Sequence, residues 1–427
     1  MYLAESRSAK APAAPGTRPG RRAAAAAVPG TVLALGTVSL ITDVSSEMVS
    51  AVLPLYLLTG LGLSPLGFGL LDGIHNGVGA LVRLLGGHLA DRGGDGRGTG
   101  RHKLVAGLGY GLSALCKPLL LLVHSVPLIG AVLAADRTGK GLRTAPRDAM
   151  ISLATDPEHR GRAFGVHRAM DTAGALLGPL AAFGVLRLAV DGYDAVFAVS
   201  GCVAVLGVLV LVLFVPGRQP RAEAGPPAAA PSLRDALALL KLPDLRRLTL
   251  CAALLGLTTV SDSFLYLLLQ RRLGLATDLF PLLPLGTAAA FLLLAVPLGA
   301  LADRIGRRRL FLAGHGVLLL AYGLLLGPVS GGPAACCVLL LHGAFYAATD
   351  GVLAAAAADA VPAEQRGAGL ALVGTGQALA RFACSLAFGA AWSAIGATAA
   401  LAWAAGALVL CVAGAARVLR SPEEAAA

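Results

Sequence analysis

Residues 133–148 read LAADRTGKGLRTAPRD, and they restrict the possible folds more than any other segment. Apolar sequence leads into them from 126 to 135 and resumes over 149–153, so by hydropathy they form the second half of a membrane-spanning helix. Yet they carry Asp136, Arg137, Lys140, Arg143, Arg147 and Asp148. A charge near the centre of an inserted helix costs about 2.5–3.5 kcal/mol, while each Leu or Val returns about 0.3–0.6 kcal/mol, so such a helix cannot face lipid alone. At about 100° per residue, Asp136, Lys140, Arg143 and Arg147 share one face, with Arg137 and Thr144 beside it. The expectation is a helix walling a water-filled cavity inside a helical bundle.

Composition agrees with a membrane origin. Of 427 residues 56% are hydrophobic and only 14% charged, and the mean hydropathy is +0.75, far from the balance of a soluble domain of this length. The net charge of +11 could suggest a nucleic-acid partner. The basic residues, however, sit in short loops between apolar spans, where orientation signals lie, so no nucleic acid is expected and the bilayer is. All seven cysteines lie in apolar segments, which suits reduced thiols and no disulfide framework.

About twelve spans are expected: an all-α polytopic membrane protein in two pseudo-symmetric six-helix bundles. The organisation is a disordered N-terminal tail (1–30), an N-terminal six-helix bundle (31–215), a proline-rich basic linker (216–247), a C-terminal six-helix bundle (248–416) and a short tail (417–427). Arg21-Arg22 ahead of an apolar run resembles a twin-arginine export signal, but a long polytopic stretch follows where a soluble domain should. Counting Lys and Arg by alternate loops puts about 25 on the side of both termini and only Arg187, Arg271 and Arg272 on the other. Both termini and the linker are therefore expected in the cytoplasm, in the cell membrane.

The halves repeat one another. GGHLADRGG at 86–94 returns as GALADRIGRRR at 299–309, PEHRGRA at 157–163 returns as AEQRGAG at 363–369, and Asp43 of the first span has a counterpart in Asp262 of the seventh, expected over 248–270. Such offsets argue for two homologous bundles about an axis along the membrane normal.

On these motifs the chain resembles the major facilitator superfamily, over about residues 31–416, and in particular its bacterial drug and metabolite exporters. The second loop copy fits the family signature through Gly299, Leu301, Asp303, Arg304, Gly306, Arg307 and Arg308. The first matches through Gly87, Leu89, Asp91, Arg92 and Gly94, then departs where Asp95 and Gly96 replace a basic pair. In the family this loop latches the bundles on the cytoplasmic face and assists the conformational switch. Leu133, Arg137 and Gly141 fall at the spacing of the family's fourth-helix arginine motif, with Lys140 where Gln is usual; the resemblance implies a role for Arg137 in proton coupling. Gly165, Gly174, Gly178 and Pro179 are spaced like the fifth-helix motif of antiporters, although Ala182-Phe183 replace its terminal Gly-Gly. Close packing is the other use of such glycines.

Periodicity supplies further pore-lining candidates. Ser39, Asp43, Ser46, Glu47 and Ser50 form a stripe on span one, and Thr258, Thr259, Asp262 and Tyr266 one on span seven; Asp350 lies near the middle of span ten. By analogy with the superfamily, spans one, four, seven and ten line the cavity. Proton coupling is thus expected among Asp43, Glu47, Arg137, Asp262 and Asp350, with Asp43 and Glu47 one turn apart and mutually repulsive. Ser46, Asp136, Lys140, Arg143, Arg168, Tyr266, Gln377 and Arg381 are the expected cavity contacts. Asp72, His75 and Asn76 in span two are as readily packing residues, and Arg168 and Asp171 can neutralise each other. Lys117 can snorkel outward or enter the cavity.

These features point to a monomeric secondary transporter of a small organic solute, driven by protons and exporting, without a cofactor or metal. No Walker loop is present, since GDGRGTG lacks the Lys-Ser/Thr pair, and neither HExxH nor GxSxG occurs, so an enzyme is not expected. The alternative is a proton symporter importing an organic anion, motivated by Arg137, Lys140, Arg143, Arg168 and Arg381. A membrane-embedded enzyme or receptor is the remote alternative.

Overall fold

The computed structural model describes residues 28–91, 98–190, 192–217, 237–328, 331–362 and 365–419, with the backbone alone at 80, 81, 83–91, 98–101 and 157. The N-terminal tail up to residue 27, the linker centre at 218–236, the tail from 420 onward and the expected switch residue Arg92 lie outside the described residues.

Among the described residues there are thirteen α-helices and no strand. In chain order they are α1 Gly30–Leu55, α2 Pro65–Asp91, α3 Gly98–Leu119, α4 Val126–Leu153, α5 Arg160–Leu188, α6 Gly192–Phe214, α7 Pro243–Gly256, α8 Asp262–Leu273, α9 Leu283–Ile305, α10 Arg307–Leu326, α11 Gly332–Asp359, α12 Arg366–Ile395 and α13 Ala397–Val418. Eight of the described helices are long and apolar enough to cross a bilayer without further argument. Helices α2, α3 and α4 carry polar or charged residues within their apolar stretches. The seventh span is divided between α7 and α8. Outward-facing Leu213, Leu293, Trp403 and Leu410 are exposed, as a lipid-facing surface requires.

The break in span seven departs from the continuous helix expected over 248–270. Residues 257–261 leave the helix, and α8 begins at Asp262 with Ser261 as its N-cap residue. Loose backbone inside a membrane protein must find partners within the protein. Tyr322 of α10 supplies both: Val260 N–H donates to its hydroxyl at 2.8 Å, and the hydroxyl lies 3.4 Å from the carbonyl of Thr258 as donor. Asp262 then sits at the positive end of α8, a favourable place for a carboxylate.

Glycines set which helices can approach. A Cβ on Gly109 of α3 would lie 2.7 Å from the Gly139 carbonyl of α4, and one on Gly139 would lie 2.6 Å from the Gly109 carbonyl. A Cβ on Gly141 would strike Val82 of α2 at 2.4 Å. The glycines of the charged stretch therefore bring α4 against both neighbours. In α5, a Cβ on Gly174 would fall 2.4 Å from the Leu40 carbonyl, and one on Gly178 would fall 2.6 Å from Glu47 Cβ and 2.9 Å from the Val44 carbonyl, both on α1. Gly174 and Gly178 thus serve close packing within the N-terminal bundle, and Pro179 is buried beside them. Gly165 has open space around its Cβ position.

The bundles meet chiefly along α2 and α12, and where α1 and α5 touch the 3-10 turn Thr277–Leu282. These contacts gather at the end away from the termini. A Cβ on Gly69 would lie 2.4 Å from the Ser385 carbonyl, one on Gly389 would lie 2.5 Å from the Pro65 carbonyl, and Gly73 and Gly77 face Phe382. Phe68 of α2 meets Phe264 of α8 edge-on at 4.8 Å, Phe264 continues to Phe388 at 4.9 Å, and Leu66 N–H donates to Ser393 Oγ at 3.0 Å. Nearby, Arg187 Nε lies 3.1 Å from Asp278 Oδ2.

The packing predicts a contrast within one motif. Gly178→Ala should destabilise the folded protein by about 1–3 kcal/mol, because backbone atoms of α1 occupy the space, while Gly165→Ala should be neutral or stabilising by about 1 kcal/mol. Thermal unfolding of the two variants in detergent checks the order.

Candidate functional site

The charges of α4 fan out from one face to three neighbouring helices. Asp136, the shortest, stays against α3: Lys117 Nζ donates to its Oδ1 at 2.8 Å and Ser113 Oγ at 2.5 Å. Arg137 Nη2 lies 3.2 Å from the other carboxylate oxygen. Lys117 and Asp136 are both buried, so Lys117 neither snorkels nor enters an open cavity. It neutralises a carboxylate inside the helix pair, since a buried charge without a partner is strongly unfavourable.

One turn further, the longer side chains reach across to α1. Arg143 Nη2 lies 3.3 Å from Asp43 Oδ1, and its guanidinium stacks 4.4 Å from the ring centre of Tyr110. Lys140 Nζ lies 3.7 Å from Asp43 Oδ1 and 3.7 Å from Glu47 Oε1. Arg143 is buried, whereas Lys140 and Glu47 keep 34% and 31% side-chain exposure, so the open edge of the cluster lies at that pair. Next along α4, Arg147 bonds Asp148 at 3.0 Å, reaches Asp171 of α5 at 3.8 Å and donates to Ser39 Oγ at 3.4 Å; Ser39 in turn meets His167 Nε2 at 3.0 Å. The Asp171 carboxyl faces that of Asp43, and Arg168, 80% exposed, lies 3.5 Å from Asp171.

This geometry corrects one expectation. Asp43 and Glu47 do not stand as a repelling pair opposed by Arg137. Lys140 lies between them, Arg143 joins Asp43, and Arg137 is turned to Asp136 and toward His75 and Gly79 of α2. The carboxyl facing Asp43 is Asp171, on α5. Ser46 is buried in α1, and no ion pair or hydrogen bond of its side chain occurs among the described residues.

The C-terminal bundle builds a second group around the broken span. Tyr346 Oη of α11 donates to Asp262 Oδ1 at 2.5 Å, and His342 Nε2 lies 3.3 Å from the same oxygen. Thr287 Oγ1 is 3.3 Å from His342 Nδ1, and the rings of Tyr266 and Tyr346 flank that histidine at 5.9 and 5.2 Å. Arg381 of α12 stacks 5.6 Å from the Tyr346 ring centre. Asp350 is exposed although it lies deep among the helices, as is the Asp262 side chain at 43%; carboxylates both surrounded and accessible mark a cavity wall. Gln377 packs on Gly256 of α7 instead of reaching this group. His342, Tyr346, Thr287 and Ser113 were not singled out in the sequence. His342 and Tyr346, at i and i+4 in α11, form the one helical signal that could have been found.

The second loop copy acts inside its own bundle. Gly306 adopts φ +96° between α9 and α10, a conformation open to glycine. Arg307 binds Asp303 at 3.6 Å, the Ala355 carbonyl at 3.2 Å and Asp359, while Arg308 reaches Asp244 at 3.4 Å. The latch between bundles expected of this loop is not among these contacts. Gly299 is unobstructed, Arg304 has no ion pair among the described residues, and Gly87 and Asp91 lie in α2, with only their backbone described. A cavity of about 710 Å³ opens beside Arg307, bounded by α9, α10, α11 and α13.

The family model of the Major Facilitator Superfamily matches residues 35–294 and 248–427. The chain belongs to that superfamily. It is 29% identical over 375 residues to an uncharacterised MFS-type transporter of Methanocaldococcus jannaschii, covering 84% of this chain and 88% of the relative. An uncharacterised protein of Mycobacterium tuberculosis is 32% identical over 195 residues, 45% of each chain. Among solved structures, the nucleoside transporter NupG superposes with TM-score 0.75 at 13% identity, covering 92% of this chain and 99% of that one. A POT family transporter in complex with 5-aminolevulinic acid gives 0.72 at 14% identity, covering 92% and 97%. A bacterial homologue of the human lysosomal transporter Spinster, inward-facing, gives 0.70 at 16%, covering 95% and 100%. The protein is a multi-pass membrane transporter of the major facilitator kind, with its two-bundle helical fold, and not an enzyme.

The buried α3–α4 pair makes a stability prediction. Lys117→Met should destabilise the protein by about 3–5 kcal/mol, because Asp136 loses its closest cation, and adding Asp136→Asn should recover part of that loss. Chemical denaturation of the single and double variants measures the coupling.

Proposed function

We propose that this chain is a proton-coupled secondary transporter that exports a small organic solute by alternating access, as a monomer in the cell membrane with both termini in the cytoplasm. The observation that carries the coupling is the five-residue cluster on three helices: Asp43, Lys140, Arg143, Arg147 and Asp171. A proton shared between the facing carboxyls of Asp43 and Asp171 relieves their repulsion and loosens the hold of Asp43 on Lys140. Losing the proton restores the ion pairs. Because the participants sit on different helices, proton occupancy and helix position are linked, which is the condition for coupling. Asp262 and Asp350 are the corresponding carriers in the second bundle.

With the termini inside, the packed seam of α2 and α12 lies at the outer face, and the cavity opens to the cytoplasm. The Spinster homologue of the same fold was solved inward-facing. Export rests on the resemblance of the α5 glycines to the antiporter motif. Uptake of an organic anion drew on five cations of the cavity, but Arg137, Lys140, Arg143 and Arg168 each hold a carboxylate here, which leaves that alternative resting on Arg381 alone. Nucleosides and 5-aminolevulinic acid, named with the structural neighbours, are reasonable first compounds for a substrate screen by ligand-induced thermal shift.

Two outcomes follow. In liposomes with an imposed pH gradient, Asp43→Asn should keep binding a solute found by that screen, while its transport loses the response to the gradient; an unchanged response removes Asp43 as a carrier. A reporter active only outside the cell should be silent when fused after Arg420, and activity there would invert every loop assignment.

A further inference from the structure

The interior cations of the N-terminal bundle are matched, and Arg381 of the C-terminal bundle is not. Lys117, Arg137, Lys140, Arg143 and Arg147 each meet a carboxylate. Arg381 meets none among the described residues: its one charge-specific contact is the face of Tyr346, and its Nε is buried without a hydrogen-bond acceptor. Asp350 likewise has no cation at ion-pair distance among the described residues. The two lie within electrostatic reach of one another but do not touch. Asp262 differs, since Tyr346 donates to its Oδ1 and His342 Nε2 lies 3.3 Å from the same atom.

Their position is that of a substrate site. Arg381 stands one helical turn from Ser385, whose hydroxyl donates to Asp72 of α2 at 2.7 Å in the closed seam, and next to Phe382, which covers Gly73 and Gly77. It therefore lies just inside the point where the bundles separate. Asp350 follows Tyr346 by one turn of α11 and is open to the cavity. A pure anion bound at Arg381 would face Asp350 and Asp262, and a pure cation bound at Asp350 would face Arg381. Either leaves one charge unanswered in a partly desolvated site.

We propose that Arg381 and Asp350 form the two poles of a site for a zwitterionic amino acid, the carboxylate accepting hydrogen bonds from the Arg381 guanidinium and the ammonium donating to Asp350, with the partly exposed Tyr346 between the poles. This deepens the transporter reading and rests on it. The planar guanidinium suits a carboxylate in two-point contact. The tyrosine face behind it holds the fork in place when the site is empty.

Three probes on one skeleton test the charge pattern: phenylalanine, 3-phenylpropanoate and phenethylamine, each titrated against the purified full-length chain in detergent at neutral pH and read by calorimetry and thermal shift. Phenylalanine should bind about tenfold or more tightly than either singly charged analogue. Arg381→Gln should abolish its advantage over phenethylamine, Asp350→Asn its advantage over 3-phenylpropanoate, and Arg381→Lys should recover part of the first. 3-Phenylpropanoate binding as well as phenylalanine overturns the proposal, as does failure of phenylalanine to bind the wild type, or its undiminished binding to folded Arg381→Gln. Phenylalanine counterflow in liposomes separates the two levels: binding with this pattern but no counterflow supports the site and counts against transport of this ligand.

Discussion

An interior charge in this protein must be answered by protein or by what enters the cavity, because lipid offers it nothing. Helix α4 is the extreme case, and its neighbours are arranged around that need. Asp136 is answered by Lys117 and Ser113 of α3 and by its own neighbour Arg137, Lys140 and Arg143 by Asp43 and Glu47 of α1, and Arg147 by Asp171 of α5. The glycines of the same stretch bring α2 and α3 close enough for this to work, since a Cβ at Gly139 or Gly141 would collide with Gly109 or Val82. One sixteen-residue segment thus carries both the electrostatic demand and the geometric means of meeting it.

That demand was legible in the sequence because a charge in an apolar run has so few alternatives. The resolution was less so. Helical periodicity identifies the residues sharing a face of α4 but says nothing of side-chain length across a helix pair, so Asp136 and Arg143 point to different partners from nearly the same angle. The pairing of Asp43 with Asp171 depends on how closely α5 packs on α1, which Gly174 and Gly178 control from a different segment. The break of span seven had a weaker trace still. Thr258, Thr259 and Ser261 are compatible with a continuous helix, and what holds them out of one is Tyr322, more than sixty residues later. A carboxylate recurring at the same place in both halves, Asp43 and Asp262, indicated the sites but hid their difference. One is enclosed by cations, and the other sits at a helix start with a tyrosine and a histidine.

The two bundles therefore divide the chemistry unequally. In the N-terminal bundle opposite charges are already joined, so what can change there is protonation and the grouping of the ion pairs. In the C-terminal bundle a cation and a carboxylate, Arg381 and Asp350, stand near one tyrosine and are not joined. A repeat in sequence does not require a repeat in role, because each half needs only the same helix packing to form its bundle.

The seam between the bundles sets close apolar contact against a buried carboxylate. Close backbone contact at Gly69 and Gly389, with Phe68, Phe264, Phe388 and Trp392 packed edge-on or tilted alongside, holds the bundles together at the end away from the termini. Asp72 lies in the middle of that seam, buried, with Ser385 as its hydrogen-bond donor, Ser261 and Ser263 beside it, and no cation at ion-pair distance among the described residues. Taking a carboxylate out of water costs several kcal/mol, and hydroxyl donors return only part of it. Closing the seam gains apolar and backbone contact but must desolvate Asp72, and opening it loses the contacts but returns the carboxylate to water. The opposing terms bring the two arrangements nearer in free energy than an all-apolar seam would.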